Sequence, residues 1–341
     1  MWNYLKEQNR PIVIYGMGNG ADKIIDTLAD FDVTVSGVFA SDDFVRGQTF
    51  RGFKVQKYSD LKQQFPNMIA LVSFGTQRDE VLDNIKRIAQ ETEVLAPDVP
   101  VYGGGLFTLD YAKEHKSELQ KVYNLLADEQ SKKVFYNTVM FRITGKINYL
   151  FEIETTPQEA YENILKLNDK EVYCDLGAYN GDTIDEFLSV VESFEKIYAV
   201  EPDKKNFKKL FAKYGERENV ELFNMASSEN SGEIGFETNG GRHSVVNENA
   251  QKIPCISLDD ALQGKSASYI KFDVEGMEEK ALLGAKKTIL NHKPKMLVSA
   301  YHKTDDYFRL PLLVNEIRDD YKIYMRHYKY IPAWDTQFYF V

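Results

Sequence analysis

A chain of 341 residues is longer than the roughly 100–200 that one ordinary domain occupies, so two cores are expected. Its 43% hydrophobic and 13% aromatic residues exclude a disordered polymer, and a formal net charge of -10 excludes unspecific attraction to nucleic acid or anionic membrane, which needs a basic face. Net charge does not speak to a local basic patch. No apolar run approaches the roughly 20 residues of a membrane helix, and Met1 to Lys6 lack the basic-then-apolar order of a signal peptide. A cytoplasmic chain with no membrane span and no nucleic-acid partner is expected. Cys174 and Cys255 each lie in an apolar, strand-like segment and read as core thiols.

In chain order, residues 12–15 form a strand pattern that runs into Gly16-Met17-Gly18-Asn19-Gly20-Ala21 and a helical run over 22–29, the opening of a doubly wound α/β unit. Strands are expected over 33–39 and 68–73, a helix over 79–90, and a short strand at 101–102 before the glycines at 103–105. Gly16, Gly18 and Ala21 fit the dinucleotide fingerprint G-x-G-x-x-G/A, and Asp42 lies near the place of a ribose-binding acid. Alone that fingerprint is unspecific. A nicotinamide-dependent oxidoreductase is one reading of it, yet no Tyr-x-x-x-Lys pair or other hydride-transfer constellation accompanies it. Residues 14–18 and 52–55 resemble the nucleotide-sugar-binding N-terminal domains of some bacterial sugar-modifying enzymes. A fold retained for docking or dimerisation, giving a homo-oligomer, is an equal alternative.

Residues 1–108 are thus expected to form one Rossmann-like domain. Over 109–168 strand signals vanish and apolar residues recur at helical spacing, through Leu119, Val122, Leu125, Leu126, Val134, Val139 and Ile143, which predicts a helical connector. From 169 the strand–helix alternation resumes and continues to about 302, and the aromatic alternation over 321–341 predicts antiparallel strands closing a sheet edge. The expected fold class is α/β, with two doubly wound Rossmann-like domains joined by the connector, the second over 169–341.

Three features of the second domain fall at the ends of expected strands, where open α/β sheets place ligands. Asp175-Leu176-Gly177-Ala178-Tyr179-Asn180-Gly181-Asp182-Thr183 lies between a strand and a helix; its glycines allow close backbone approach, while Asp175 is an acceptor that a pyrophosphate site would avoid and an ammonium or sulfonium ligand tolerates. Glu201, followed by Pro202 and Asp203, ends the next strand and is placed to accept ribose hydroxyls. Ile270-Lys271-Phe272-Asp273-Val274-Glu275-Gly276 ends a third, and in an extended segment Asp273 and Glu275 would point to the same side.

These residues, with Ile256-Ser257-Leu258-Asp259-Asp260 and Tyr301-His302, resemble the FkbM-type S-adenosylmethionine-dependent methyltransferases over about 172–302, with a looser echo in Arg326-His327-Tyr328. The resemblance implies a class I methyltransferase fold and O-methylation of a sugar or polyketide-type hydroxyl. It implies that Asp175, Gly177 and Gly181, with Ala178, Asn180 and Thr183, surround the methionine moiety of S-adenosylmethionine. Glu201 and Pro202 would then meet the ribose, Asn224, Met225 and Ala226 the adenine, and Asp273 the transferred methyl.

Methyl transfer from a sulfonium needs alignment, for which positioning alone supplies up to about 7–11 kcal/mol, and a hydroxyl acceptor must also lose its proton. His302, Asp273 and Glu275 are the candidate bases, His302 because imidazole titrates near neutral pH. The same three side chains are alternatively a holder for a divalent cation that lowers the acceptor's pKa. Plain structural roles stand beside these: strand-end acids that cap helices for Asp175, Glu201 and Glu275, and a backbone hydrogen bond for His302. Residues 240–244, Gly-Gly-Arg-His-Ser, are either a lid over the acceptor or a hairpin tip. The expected function is O-methylation of a sugar hydroxyl in a glycan or nucleotide-linked precursor, set against a binding module that holds adenosyl compounds without chemistry.

Overall fold

The computed structural model describes residues 1–103, 105–238, 244–246 and 252–341. The first sheet is built from β1 (Ile12–Tyr15), β2 (Val35–Ala40), β3 (Thr49–Phe50), β4 (Phe53–Lys57), β5 (Ile69–Val72) and β6 (Glu93–Leu95), in the order β3-β4-β2-β1-β5-β6. All pairings are parallel except the β3–β4 hairpin. Every residue of β1 and β5 is buried, as expected for parallel strands covered on both faces. The fingerprint turn has a packing reason: a Cβ on Gly16 (φ +121) would lie 2.5 Å from Ser73 Oγ, and one on Gly20 2.1 Å from the Ser73 carbonyl oxygen. The sixth strand is not the expected 101–102 but β6, whose short run offers only Val94 and Leu95 as apolar signal.

The following segment is mainly helical: Leu109–Glu114, Lys116–Leu125, Glu129–Thr144 and Asn148–Phe151. The longest of these is capped by Asp128, which accepts from Ser131 N at 2.6 Å, and ends at Gly145 in the left-handed region. The expectation of a purely helical connector needs correcting, because β7 (Glu154–Thr155) joins the second sheet beside its last strand pair. A short helical turn, Pro157–Glu159, and a π-helical turn, Ala160–Leu165, lead back to that sheet.

The second sheet contains β8 (Val172–Leu176), β9 (Lys196–Val200) and β10 (Val220–Phe223). The chain then makes a small sheet from β11 (Ala226–Ser227), β12 (Gly232–Thr238), β13 (Ser244–Val246) and β14 (Lys252–Ile256). It returns as β15 (Tyr269–Phe272), β16 (Lys295–Ser299), β17 (Ile323–Tyr328) and β18 (Thr336–Phe340). The main order is β10-β9-β8-β15-β16-β18-β17-β7, with β18 antiparallel to both neighbours, as the aromatic alternation predicted. The strand order reverses between β8 and β15, which opens a crevice at their carboxyl ends. Both halves are α/β with parallel sheets, and no described helix is long and apolar enough to cross a membrane. Cys174 and Cys255 are free and buried.

The sheets are docked. Thr76, after β5, exchanges both backbone hydrogen bonds with Ile331, and Arg142 pairs with Asp98 at 2.7 Å while donating to the Thr304 carbonyl.

Candidate functional site

A cavity of about 540 Å³ lies at the β8/β15 reversal. Gly177 forms its floor at φ +90. A Cβ there would come within 1.8 Å of the Asp273 carbonyl oxygen, so only glycine lets the two loops close on each other. The amides of Gly177 and Ala178 both donate to the Val200 carbonyl, which fixes the turn and leaves Ala178 fully buried. Gly181, at φ +88, starts the helix Asp182–Val190, and its missing Cβ makes room for the Tyr214 ring. Asn180 Oδ1 is buried with no hydrogen-bond partner among the described residues.

Asp175 lies behind this floor with no exposure, accepting from the Thr183 hydroxyl and facing Lys271 Nζ at 3.4 Å. Burial pushes its carboxyl pKa up, and Lys271 pulls it back only in part. Lys271 lies opposite Asp175 in the β8/β15 register; its ammonium also donates to the Gly177 carbonyl at 3.2 Å and sits 3.6 Å from Asp273 Oδ2. Burial works against that charge, but Asp175 and Asp273 outweigh it and raise the lysine pKa. Thr183 and Lys271 line the cavity, whereas Asp175 supports them from beneath. Lys271 belonged to the recognised motif without a role, because its importance depends on a cross-strand register that spacing does not disclose.

Glu201 ends β9, 6% exposed, and each carboxylate oxygen holds one backbone amide at 2.8 Å, Oε2 that of Tyr179 and Oε1 that of Asp203. Burial raises its pKa to about 7, against the pull of those two amides. Asn224 donates to the carbonyls of Glu201 and Pro202, clamping the strand end. Pro202, Ala226 and Ser227 line the cavity, and Ser227 Oγ is buried without a partner among the described residues. Of the expected pair Met225 and Ala226, Met225 packs against the core and Ala226 lines the cavity, while Ser227 was not among the expected residues.

Asp273 and Glu275 both face the cavity, though not through strand alternation. β15 stops at Phe272, and Glu275 sits in the left-handed region at φ +53. His302 is 1% exposed beneath them: its Nε2 lies 3.4 Å from Glu275 Oε2 and 3.7 Å from Asp273 Oδ1, and its Nδ1 lies 3.0 Å from Glu278 Oε1. Burial would lower the imidazole pKa, but Glu278, Glu275 and Asp273 together raise it to about 10. A raised pKa favours the protonated ring, which has no lone pair to accept a proton. Burial raises Glu275 to about 7, while Asp273, also lifted by burial, ends below its usual value because Lys271 and His302 face it. Glu278, absent from the sequence reading, accepts from the amides of Val274 and Gly276 and so shapes the loop carrying Glu275.

Ligand atoms of Asp273, Glu278 and His302 fall within 4.8 Å of one another, a grouping that differs from the expected Asp273, Glu275 and His302. The Lys271 ammonium, 3.6 Å from Asp273 Oδ2, competes with a cation at this donor set. Ser257 and Asp259 of the other motif are structural, one capping the helix Leu258–Leu262 and the other holding Thr288. The segment 240–243, expected as lid or hairpin tip, lies outside the described residues. The far end of the cavity joins all parts of the chain: Gln77 of the first domain, Thr155 and Tyr161 of the connector, and Tyr328 and Gln337 of the last strands.

The family model for the methyltransferase FkbM domain matches residues 175–332. Among solved structures, the methyltransferase FkbM from Methylobacillus flagellatus KT aligns with a TM-score of 0.75 at 22% identity, covering 97% of this chain and 90% of that one. Aeropyrum pernix fibrillarin in complex with natively bound S-adenosyl-L-methionine aligns at 12% identity over 51% of this chain and 67% of its own, with a TM-score of 0.34. An rRNA methylase from Streptococcus thermophilus aligns at 17% identity over 55% and 96%, with a TM-score of 0.35. No curated protein matches the sequence.

Proposed function

We propose, on the match of residues 175–332 to the family model for the methyltransferase FkbM domain, that the protein is an S-adenosylmethionine-dependent O-methyltransferase acting on a sugar hydroxyl of a glycan or nucleotide-linked precursor. The observation that carries the cofactor assignment is Glu201, a buried carboxylate pinned by two amides at the rim of the switch-point cavity, where it retains acceptor capacity for ribose hydroxyls. Ser227 Oγ, buried and unpartnered beside it, suits an adenine edge. Lys271 and Thr183 suit the charged methionine end, with Asp175 fixing both from behind. The cofactor supplies a methyl group already activated on sulfonium, so the chain's task is alignment and removal of the acceptor proton.

Glu275 is the base in this reading. A carboxylate with a pKa of about 7 is substantially ionised at neutral pH yet basic enough to take a hydroxyl proton as the oxygen attacks. Asp273, kept ionised by Lys271 and His302, orients the acceptor, and the imidazolium of His302 holds the two acids in place. Tyr161, Tyr328, Gln337 and Thr155 offer ring faces and neutral hydrogen-bonding groups, the combination a polyol needs.

The test is calorimetric titration with S-adenosylhomocysteine, followed by transfer of labelled methyl from S-adenosylmethionine to a panel of methyl glycosides and nucleotide sugars. Saturable binding weakened about 10- to 100-fold in Glu201→Ala is expected, the worth of one or two charge-assisted hydrogen bonds. No binding, or binding that Glu201→Ala leaves unchanged, removes the cofactor assignment; binding without transfer to any member of the panel removes the sugar acceptor.

A further inference from the structure

The helix Lys204–Tyr214 carries Lys204, Lys205, Lys208, Lys209 and Lys213 within 11 residues and no acidic residue, in a chain whose net charge is -10. Its inner face is anchored by buried Leu210 and Tyr214, and its start by Asp203, which accepts from the amides of Lys205 and Asn206 at 2.9 Å. Lys213 is held by Asp185 at 2.6 Å. Lys204, Lys205, Lys208 and Lys209 are exposed and form no ion pair with any described residue. Asp185, Glu216 and Glu218 flank the far end, and Asp203 spends one carboxylate oxygen on the helix amides at the start, so the four lysines of the first two turns outnumber the acid beside them. Phe211, one turn from Lys208, is 55% exposed, and Phe207 lies against it with ring centroids 6.3 Å apart.

We propose that this helix docks the protein on an anionic lipid surface, its lysines meeting the headgroups and Phe211 entering the interfacial layer. Charge complementarity selects an anionic partner, and the phenyl ring beside the lysines selects lipid over nucleic acid. A phosphate backbone is tracked by a basic groove with stacking platforms, whereas here the charge lies on one convex helix with a single outward ring. Pro202 and Asn206, just before and within the helix, line the cavity, so docking brings the cofactor rim within a turn or two of the membrane. One short helix gives reversible, salt-sensitive attachment rather than anchoring. This inference does not depend on the methyl-transfer reading.

Co-sedimentation of the full-length protein with phosphatidylcholine vesicles, with and without phosphatidylserine, tests it at low and high salt. Binding only to the phosphatidylserine vesicles is expected, abolished by salt. It should fall about tenfold or more in the double variant Lys208→Glu, Lys209→Glu and be weakened in Phe211→Ser, with circular dichroism confirming that each variant is folded. Equal sedimentation with both vesicle types, or full binding by the folded double variant, overturns the proposal. So does phosphatidylserine binding that Phe211→Ser leaves intact and poly(U) displaces, since that outcome assigns the helix to a generic polyanion.

Discussion

Glu275 occupies a backbone conformation that costs a non-glycine residue roughly 1–2 kcal/mol, and it is held there by Glu278 bonding the amides on either side of it. Strain at an acid whose pKa is raised to about 7, kept in place by a buried carboxylate, supports our placing the base on this loop. If Glu275 is the base, methyl transfer rises with pH through about 7, because only the ionised form accepts the proton. Glu275→Gln then lowers kcat by about 100-fold or more and removes that limb of the profile while leaving S-adenosylhomocysteine affinity unchanged. An unaltered pH–rate profile in the variant would discard the assignment.

His302 makes a separate, structural prediction. Its folded pKa, about 10, lies above the ordinary 6.5, so its pairing with Glu278, Glu275 and Asp273 contributes stability that is fully present below pH 6.5 and is lost as pH rises through about 10. The gap in Tm between the wild type and His302→Gln is therefore expected to be widest at acid pH and to close on the alkaline side. A gap independent of pH over that span refutes the imidazolium.

At the scale of elements, the wall from Glu154 to Leu165 is tied down by one guanidinium. Arg326, 3% exposed on β17, pairs with Asp128 at 2.8 Å and with Glu159 at 2.8 Å, so the capped helix and the short helical turn Pro157–Glu159 share an anchor. Breaking a fully buried pair costs about 3–5 kcal/mol, but both carboxylates are roughly one-third exposed, so Arg326→Ala should cost about 2 kcal/mol, read from the denaturation midpoint. Because Thr155 and Tyr161 hang from this anchor, the same variant should raise acceptor KM more than it lowers cofactor affinity.

For the whole molecule, the two sheets share one continuous core running from Val13 and Phe39 to Phe338 and Phe340. Arg142, 5% exposed, is clasped between the Phe107 and Tyr307 rings at 4.5 and 4.8 Å while it bonds Asp98 and the Thr304 carbonyl. Tyr102 N donates to the His302 carbonyl, and its ring abuts Gly276, so the first domain buttresses the loops that carry the acids. A single cooperative calorimetric transition is expected for the intact chain, shifted to lower temperature in Arg142→Ala; two resolved transitions would show that the halves unfold independently.

Legible in the sequence alone were the alternation of strands and helices, the antiparallel end of the second sheet, the family resemblance and the acids Glu201, Asp273 and Glu275 at or just beyond strand ends, because apolar runs and glycine turns are local signals. Tertiary structure decided what spacing cannot carry. Register set Lys271 against Asp175; the surrounding carboxylates raised the pKa of the buried His302; Glu278, three residues on, took the amides on either side of Glu275; and the docking of Thr76 against Ile331 brought Gln77 into a cavity otherwise made by residues more than 70 positions distant. Burial, register and domain contact are properties of the folded neighbourhood, and they decide which of the legible acids is charged and which faces the cavity.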